Sequence, residues 1–146
     1  MRFTNRKFPL AALLALISCG NMAPNRAIDV VNDFYEYQHD DDSDFPVNMF
    51  ANIEAAVQAR SVLSRKEMLY GAYISHNRIS TSRRISIGKN GKKEVVTYIC
   101  MVTGENGRTQ ETLMLERYAS SEPFRITAYV IKDMPLFHEP APRDIA

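Results

Sequence analysis

The sequence predicts an α+β fold in which N-terminal helices pack against a curved four-stranded antiparallel sheet. Apolar residues recur with a helical period in the first part of the chain and with the two-residue period of a strand from Asn77 to Lys132. Within that second part, Asn90-Gly91 and Asn106-Gly107 separate strand patterns by only a few residues. Because such short turns join neighbouring strands antiparallel, the second part is predicted to be a four-stranded meander.

Length and composition indicate one ordinary globular domain. The chain has 146 residues, 45% hydrophobic and 24% charged, which indicates neither wholesale disorder nor a protein that crosses a membrane many times. The formal net charge is +1, and it becomes −2 without the first 18 residues, which contain Arg2, Arg6 and Lys7 but no acid. A slightly acidic domain is not typical of nucleic-acid-binding proteins, so no nucleic-acid partner is expected.

Residues 1–18 are predicted to be a lipoprotein signal peptide. A basic start precedes an apolar run from Leu10 to Ile17, which is followed by Ser18 and Cys19. The sequence Leu16-Ile17-Ser18-Cys19 resembles the lipobox of bacterial lipoprotein precursors. The alternative is an ordinary cleaved signal, or a short anchor, with an incidental cysteine.

The lipobox resemblance implies that Cys19 is lipidated and becomes the mature N-terminus. Two or more acyl chains, such as palmitate, are needed for stable anchoring, and a modified cysteine supplies them. Gly20 stands where the inner-membrane retention signal has aspartate, which favours the periplasmic face of the outer membrane if the source is Gram-negative. Cys100 then has no partner within the chain and is expected to be buried.

Three further segments are predicted: a lipidated tether at 19–26, an α+β domain at 27–133 and a Pro-rich irregular tail at 134–146. The acidic segment from Asp40 to Asp44 is interpreted as a solvated loop. An EF-hand would need a glycine and a glutamate where Phe45 and Ala51 stand, so no metal site is predicted.

The helical part is predicted to contain an amphipathic helix from Ala27, a second helix over Pro46–Arg60 and a short third helix. The capping-box form of Ser64 and Glu67 predicts the start of the third helix, and Gly71 is a candidate for its end. The apolar stripe expected on the first helix is Ala27, Val30, Val31, Phe34, Tyr37 and Gln38.

The four predicted strands each show a period of two or a continuous apolar run. The first begins at Asn77, and the second is Val95–Thr103. In the third, Leu113 and Leu115 are expected on one face. One face of the first is predicted to hold Ile79, Thr81, Arg83, Ile85 and Ile87; one face of the fourth, Phe124, Ile126, Ala128 and Val130.

The last two strands carry a resemblance to a known family. They read Thr109-Gln110-Glu111-Thr112-Leu113-Met114-Leu115-Glu116 and then Phe124-Arg125-Ile126-Thr127-Ala128-Tyr129-Val130-Ile131. This ending is similar to that of bacterial lipoproteins and secreted proteins with a nuclear transport factor two-like domain, the cone-shaped fold of ketosteroid isomerase. The resemblance covers residues 27–132 and implies a cone closed by a bent sheet. It implies no particular activity.

The favoured function is a non-catalytic module that binds a partner protein or assembles with itself at the cell envelope. No catalytic constellation and no pair of residues at metal-ligand spacing is recognised, so no catalytic residue and no cofactor is predicted. The alternative is a carrier or sensor of a small apolar ligand in the cone cavity, with Tyr98 and Tyr129 as candidate ligand-binding residues. An isomerase-like or dehydratase-like enzyme is a weaker alternative. The arginines of Arg78–Arg84 form either a solvated strand face or a contact with anionic lipid or polysaccharide.

Overall fold

The computed structural model describes residues 26–40 and 44–132, in which two α-helices pack on a four-stranded antiparallel sheet. The predicted α+β class is therefore confirmed. The elements are α1 (Ala27–Tyr37), a 3₁₀ turn (Val47–Met49), α2 (Ile53–Tyr70), β1 (Tyr73–Gly88), β2 (Gly91–Gly104), β3 (Gly107–Arg117) and β4 (Arg125–Ile131). The strands lie in the order β1-β2-β3-β4, which confirms the predicted meander.

Several predictions fall on other parts of the chain. The signal peptide, Cys19 and the tether up to residue 25, residues 41–43 of the acidic loop and the tail from residue 133 all lie outside the described residues. None of the helices in the described part of the chain is both long and apolar enough to cross a membrane.

Helix α1 is amphipathic, as predicted, but its buried stripe includes a residue that the prediction omitted. Tyr35 is completely buried, whereas Tyr37, which was expected on the apolar face, is half-buried. Tyr35 lies four residues after Val31, so both side chains face the sheet. An ion pair between Arg26 and Asp29, 2.8 Å long, closes the first turn of the helix.

The predicted second and third helices form one continuous helix, α2, so the prediction of a break between them was wrong. Asn52 caps its start, since the side-chain oxygen accepts a hydrogen bond from the Ala55 amide at 2.8 Å. The Ser64–Glu67 capping-box pattern lies inside α2, where no glycine or proline interrupts the chain. Gly71 ends the helix with φ of 74°, a conformation that favours glycine.

Two irregularities in the sheet correct the predicted strand faces. A register shift between Arg78 and Ser80 removes Ile79 from the face shared by Thr81, Arg83 and Ile85. A second shift, opposite Met114 and Leu115, reverses the alternation within β4. Phe124 and Ile126 are buried as predicted, but Ala128 and Val130 turn outward, and Tyr129 and Ile131 take their places in the core.

The sheet has an inner face, which both helices cover, and an outer face. Leu113 and Leu115 lie on the inner face and are completely buried, and Cys100 is 1% exposed, so both predictions are confirmed. The buried inner-face residues are Glu94, Val96, Tyr98, Cys100, Val102, Thr109, Glu111, Leu113, Leu115, Ile126, Tyr129 and Ile131. The outer-face residues of β2–β4 are Val95, Thr97, Ile99, Met101, Thr112, Met114, Ala128 and Val130 in the centre, and Lys93, Thr103, Arg108, Gln110 and Glu116 towards the strand ends.

Candidate functional site

The two tyrosines predicted to bind a ligand are both buried on the inner face, where Leu113 lies between them. Tyr98 pairs with Leu113, and Leu113 pairs with Tyr129, so Leu113 separates them. Two strand spacings put their backbones roughly 10 Å apart. Tyr129 donates a hydrogen bond to Glu111, whereas Tyr98 lies near the charges of Arg78 and Asp29.

The most unusual group on the inner face is Glu111, a completely buried carboxylate in the middle of the sheet. Oε1 accepts hydrogen bonds from Lys66 Nζ at 2.9 Å and from Thr109 Oγ1 at 2.8 Å. Oε2 accepts from the hydroxyls of Tyr129 at 2.8 Å and Tyr35 at 3.1 Å. Two donors at each oxygen fill the acceptor capacity of the carboxylate. We call these five residues the Glu111 cluster.

Two members of the Glu111 cluster, Thr109 and Glu111, come from a strand whose alternation the sequence predicts correctly. Thr109 and Glu111 precede Leu113 and Leu115 at two-residue intervals, so strand alternation turns all four inward. Tyr35 comes from the buried side of α1.

Lys66 enters the cluster from α2, whose earlier buried residues are all alanines: Ala55, Ala56 and Ala59. Small residues permit close packing of the helix, and Ala59 and Lys66 are seven residues apart on the same side. Lys66 is 5% exposed, and its ammonium also donates a hydrogen bond to Gln38 Oε1 at 2.7 Å. The lysine charge is thus matched by the charge of Glu111.

A layer of aromatic rings separates the Glu111 cluster from the start of β1. The Tyr35 ring stacks on the ring of His76 with 4.1 Å between centroids, and the Tyr73 hydroxyl lies 2.7 Å from His76 Nδ1. Burial lowers the pKa of His76, although the negative charge of Glu111 opposes that shift. At neutral pH the imidazole is therefore uncharged, and it serves as a packing surface.

Burial and the neighbouring Glu111 charge also fix the protonation of the hydroxyl donors. Burial, followed by the charge of Glu111, raises the pKa of Tyr35 and that of Tyr129. Burial likewise raises the pKa of the Cys100 thiol. The phenols and the thiol all keep their protons near neutral pH, so none of them is a nucleophile there.

The geometry of the Glu111 cluster suits a structural role. A general base needs a free lone pair within hydrogen-bond distance of a substrate proton. Glu111 has no exposed surface, and its oxygens already accept four hydrogen bonds. Among the described residues, every buried side-chain nitrogen and oxygen has a partner, and no three His, Cys, Asp or Glu side chains are grouped to bind a metal ion.

A second buried carboxylate lies on the inner face near the β1–β2 turn. Glu94 is 4% exposed and pairs with Arg83 at 2.5 Å and with Arg117 at 2.9 Å. Burial by itself raises the pKa of Glu94, but the hydrogen bonds from Arg117 and Arg83 outweigh burial and hold the pKa below its usual range. The Arg117 guanidinium also stacks over the ring of Phe124, the residue before β4, at 4.3 Å.

Aromatic rings pack beneath α1 in the described part of the chain. Phe34 and Tyr129 lie edge to face with centroids 5.0 Å apart and fill the space between α1 and the sheet. A pocket of about 320 Å³ opens beside Lys66, near the C-terminal ends of α1 and α2. Charged and polar groups from Gln38, Arg60 and Glu67 contribute to its wall, together with Phe45.

The outer face of the sheet differs from the inner face in having no helix against it among the described elements. Met114 is 39% exposed and Val130 is 41% exposed, and the neighbouring Ile99 and Met101 are half-buried. The register puts Thr97 opposite Met114, and Met114 opposite Ala128. These side chains therefore form one continuous patch of apolar and hydroxyl groups across three strands.

Sequence reasoning missed the Glu111 cluster, although part of its signal was present. The alternation that identified Leu113 and Leu115 also places Glu111 on the buried face. Lys66 gave no such signal, because it lay in a helix whose beginning was predicted eleven residues too late. The pairing of Lys66 with Glu111 depends on contacts between segments 45 residues apart.

No protein-family model, curated protein or solved structure matches this chain.

Proposed function

We propose that this chain is a lipid-anchored protein of the bacterial cell envelope whose α+β domain is a non-catalytic assembly module. The lipobox-like sequence that ends at Cys19 supports the anchor, and Gly20 favours the periplasmic face of the outer membrane. Helices followed by an antiparallel meander with three register shifts support a cone like that of nuclear transport factor two. Such shifts bend a sheet locally.

The observation that carries the proposal is the apolar outer face of β2–β4. An antiparallel sheet commonly has one solvated face, and that face is then polar. Here Ile99, Met101, Met114 and Val130 occupy it together. A contiguous apolar patch of this kind is typical of a protein–protein contact.

The occupant that fits this outer face is a second copy of the chain. The centre of the patch contains no charged side chain, and charges occur only at its border, where Lys93 pairs with Glu116 at 2.7 Å. In a two-fold dimer the same surface patch of each copy faces that patch of the other copy. An uncharged apolar centre meets its own image without like-charge repulsion, whereas a charged centre does not.

The Glu111 cluster supports the non-catalytic part of the proposal. Its carboxylate is saturated by four donors inside a filled core. A catalytic acid or base of this fold would need an open cavity around the group.

Sedimentation equilibrium of the chain from Gly20 onward tests the assembly. We expect a dimer in the micromolar range that Met114→Glu converts to a monomer, since two carboxylates would be buried against each other. Met68→Glu is the matched control, because Met68 is 79% exposed on α2 and its replacement should leave the dimer intact. A monomeric wild-type protein excludes self-assembly, and a dimer that survives Met114→Glu excludes this face.

Metabolic labelling of the full-length chain tests the anchor separately. A palmitate analogue should label the wild-type protein and should not label Cys19→Ser. Equal labelling of both proteins, or of neither, would exclude Cys19 as the lipidated residue.

A further inference from the structure

The end of the β1–β2 hairpin extends beyond the part of the sheet that the helices cover. Every residue of β1 from Asn77 to Gly88 is exposed, on both faces of the strand. Because β2 pairs with β3 only as far as Glu94, residues 77–84 are the edge of the four-stranded sheet, and residues 85–93 form an ordered two-stranded extension beyond it. We call residues 77–93 the basic arm.

The basic arm has an unusual charge. It contains six cations, namely Arg78, Arg83, Arg84, Lys89, Lys92 and Lys93, and no aspartate or glutamate. Arg83 pairs with Glu94, and Lys93 pairs with Glu116. The other four form no salt bridge with any described carboxylate. Outside the arm and the first 18 residues the chain has 9 basic and 17 acidic residues, so the arm is a concentrated positive charge on a strongly acidic remainder.

Isoleucines accompany these cations on the basic arm. Ile85 is 47% exposed, and Ile87, which pairs with Lys92 next to the turn, is 84% exposed. Both lie on the inner-face side of the sheet by register. Exposed branched apolar residues beside unpaired lysines are typical of surfaces that bind anionic membranes.

The start of α1 lies on the same side of the sheet and points towards the basic arm. Burial raises the pKa of Tyr98, and charges on Arg78, Asp29 and Arg26 also act on it, so the first turn of α1 is near Tyr98. The other end of α1 lies over Glu111, away from the arm. Tyr98 pairs with Thr81, seven residues before the turn, which corresponds to roughly 23 Å along the strand.

Chain length then limits how far a lipid anchor can be from the basic arm. Seven residues, Gly20 to Arg26, separate Cys19 from α1. A fully extended segment of that length spans at most about 25 Å. In an anchored domain the start of α1 would lie at most about 25 Å from the bilayer. The arm extends roughly 23 Å from Thr81 to its turn, so the turn can reach the same bilayer.

We infer that the basic arm docks on an anionic phospholipid surface through its turn end, with Ile85 and Ile87 between the headgroups and Lys89 and Lys92 against their phosphates, while Arg84, on the opposite face of β1, adds positive charge beside them. This inference rests on the proposed lipid anchor for its orientation. Its effect is to fix how the domain lies on the membrane, so that the outer face of the sheet remains free for the proposed assembly. The headgroup phosphate is the chemical group that the arm recognises.

Vesicle co-sedimentation tests the inference with the chain from Gly20 onward, which carries no acyl group. We expect binding to vesicles that contain phosphatidylglycerol and none to phosphatidylcholine vesicles. The triple variant R84S/K89S/K92S should bind about a hundredfold more weakly, since each basic residue near an anionic surface contributes about 1 kcal/mol. The variant I85S/I87S should bind about tenfold more weakly.

The matched control removes the same charge from the opposite end of the domain. R60S/R108S/K132S changes three exposed cations on α2, β3 and the end of β4, and it should bind like the wild type. Equal loss in both triple variants would mean that only net charge matters and would overturn the inference. So would wild-type binding that does not distinguish the two lipids.

Further results distinguish membrane docking from an acidic-protein site and from the proposed lipid anchor. If polyglutamate binds to the arm and anionic vesicles do not, the arm is a site for an acidic protein and the membrane inference is wrong. Lipid labelling at Cys19 without vesicle binding would retain the anchor and reject the docking of the arm. Vesicle binding without labelling would reject the anchor alone.

Discussion

The two buried carboxylates of the inner face, Glu111 and Glu94, are surrounded in opposite ways. Glu111 lies under α1 and α2, and its partners are one lysine and three neutral hydroxyls. Glu94 lies at the base of the basic arm, and its partners are two arginines, of which the Arg83 side chain is 58% exposed.

The comparison shows that the two regions compensate a buried carboxylate charge differently. In the covered region, a single cation balances a single anion, and neutral hydroxyls supply the remaining hydrogen bonds, so the core gains order without excess charge. At the base of the arm, two cations surround one anion, and the surplus charge is solvated. The first arrangement joins α1, α2, β3 and β4, whereas the second leaves the arm positive.

Lys66→Met should give the largest change in stability, because it leaves the Glu111 charge buried without its cation. We expect the free energy of unfolding to fall by about 3–5 kcal/mol. Urea denaturation measures the change, with Lys132→Met as a control that removes an exposed lysine. A loss of less than about 1 kcal/mol would mean that the Lys66–Glu111 contact is not a buried ion pair.

Tyr129→Phe should have a smaller effect, because it removes one neutral donor from Glu111 and keeps the ring. A loss of about 1–3 kcal/mol is expected when a buried charged group loses a hydrogen bond. Tyr98→Phe is the control, since the four hydrogen bonds to Glu111 come from Lys66, Thr109, Tyr35 and Tyr129 and none comes from Tyr98. Equal losses for the two variants would show that Tyr129 contributes by packing alone.

The dependence of stability on pH should report on Glu94. Its pKa is lowered in the folded state by Arg117 and Arg83 against the opposing effect of burial, so the folded protein binds fewer protons than the unfolded chain at this carboxyl. The stabilisation is present above the unfolded pKa of about 4.3 and is lost as the pH falls through the lower folded pKa. Wild-type stability should therefore fall more steeply on acidification than that of Glu94→Gln. Parallel curves for the two proteins would show that the folded environment does not favour the charged form of Glu94.

Arg83→Met should produce the smallest change. Arg83 is largely solvated, and Arg117 remains bound to Glu94 after the substitution. We expect a loss of about 0.2–1 kcal/mol in the free energy of unfolding. Arg117→Met should cost more, because that side chain is 14% exposed and also packs on Phe124. The reverse order would contradict the assignment of Arg117 as the principal partner.

Periodicity predicted the parts of the fold that depend on neighbouring residues. The α1 stripe, the hairpin turns at Asn90-Gly91 and Asn106-Gly107, and the inward direction of Leu113 and Leu115 all follow from local spacing. It failed where tertiary contacts override local signals. The Ser64–Glu67 pattern suggested a helix start, but α2 continues through it, because its buried residues make contacts on both sides of that point.

The candidate sites show the same division. The cations and isoleucines of the basic arm are visible in the sequence, but their exposure on both strand faces is not. Tyr98 and Tyr129 looked equivalent as strand aromatics, and only the register put Leu113 between them. The shift opposite Met114 and Leu115 determined which β4 residues became core.

By itself the sequence determined an α+β domain with helices before a four-stranded meander, since helical and strand periods and short Asn-Gly turns act within a few residues of one another. Only the tertiary structure decided that Lys66, Tyr35 and Tyr129 meet at Glu111 and that both described helices cover the same face of the sheet. The physical reason is that a buried charge must find its partners in space, and those partners come from segments that no local pattern connects.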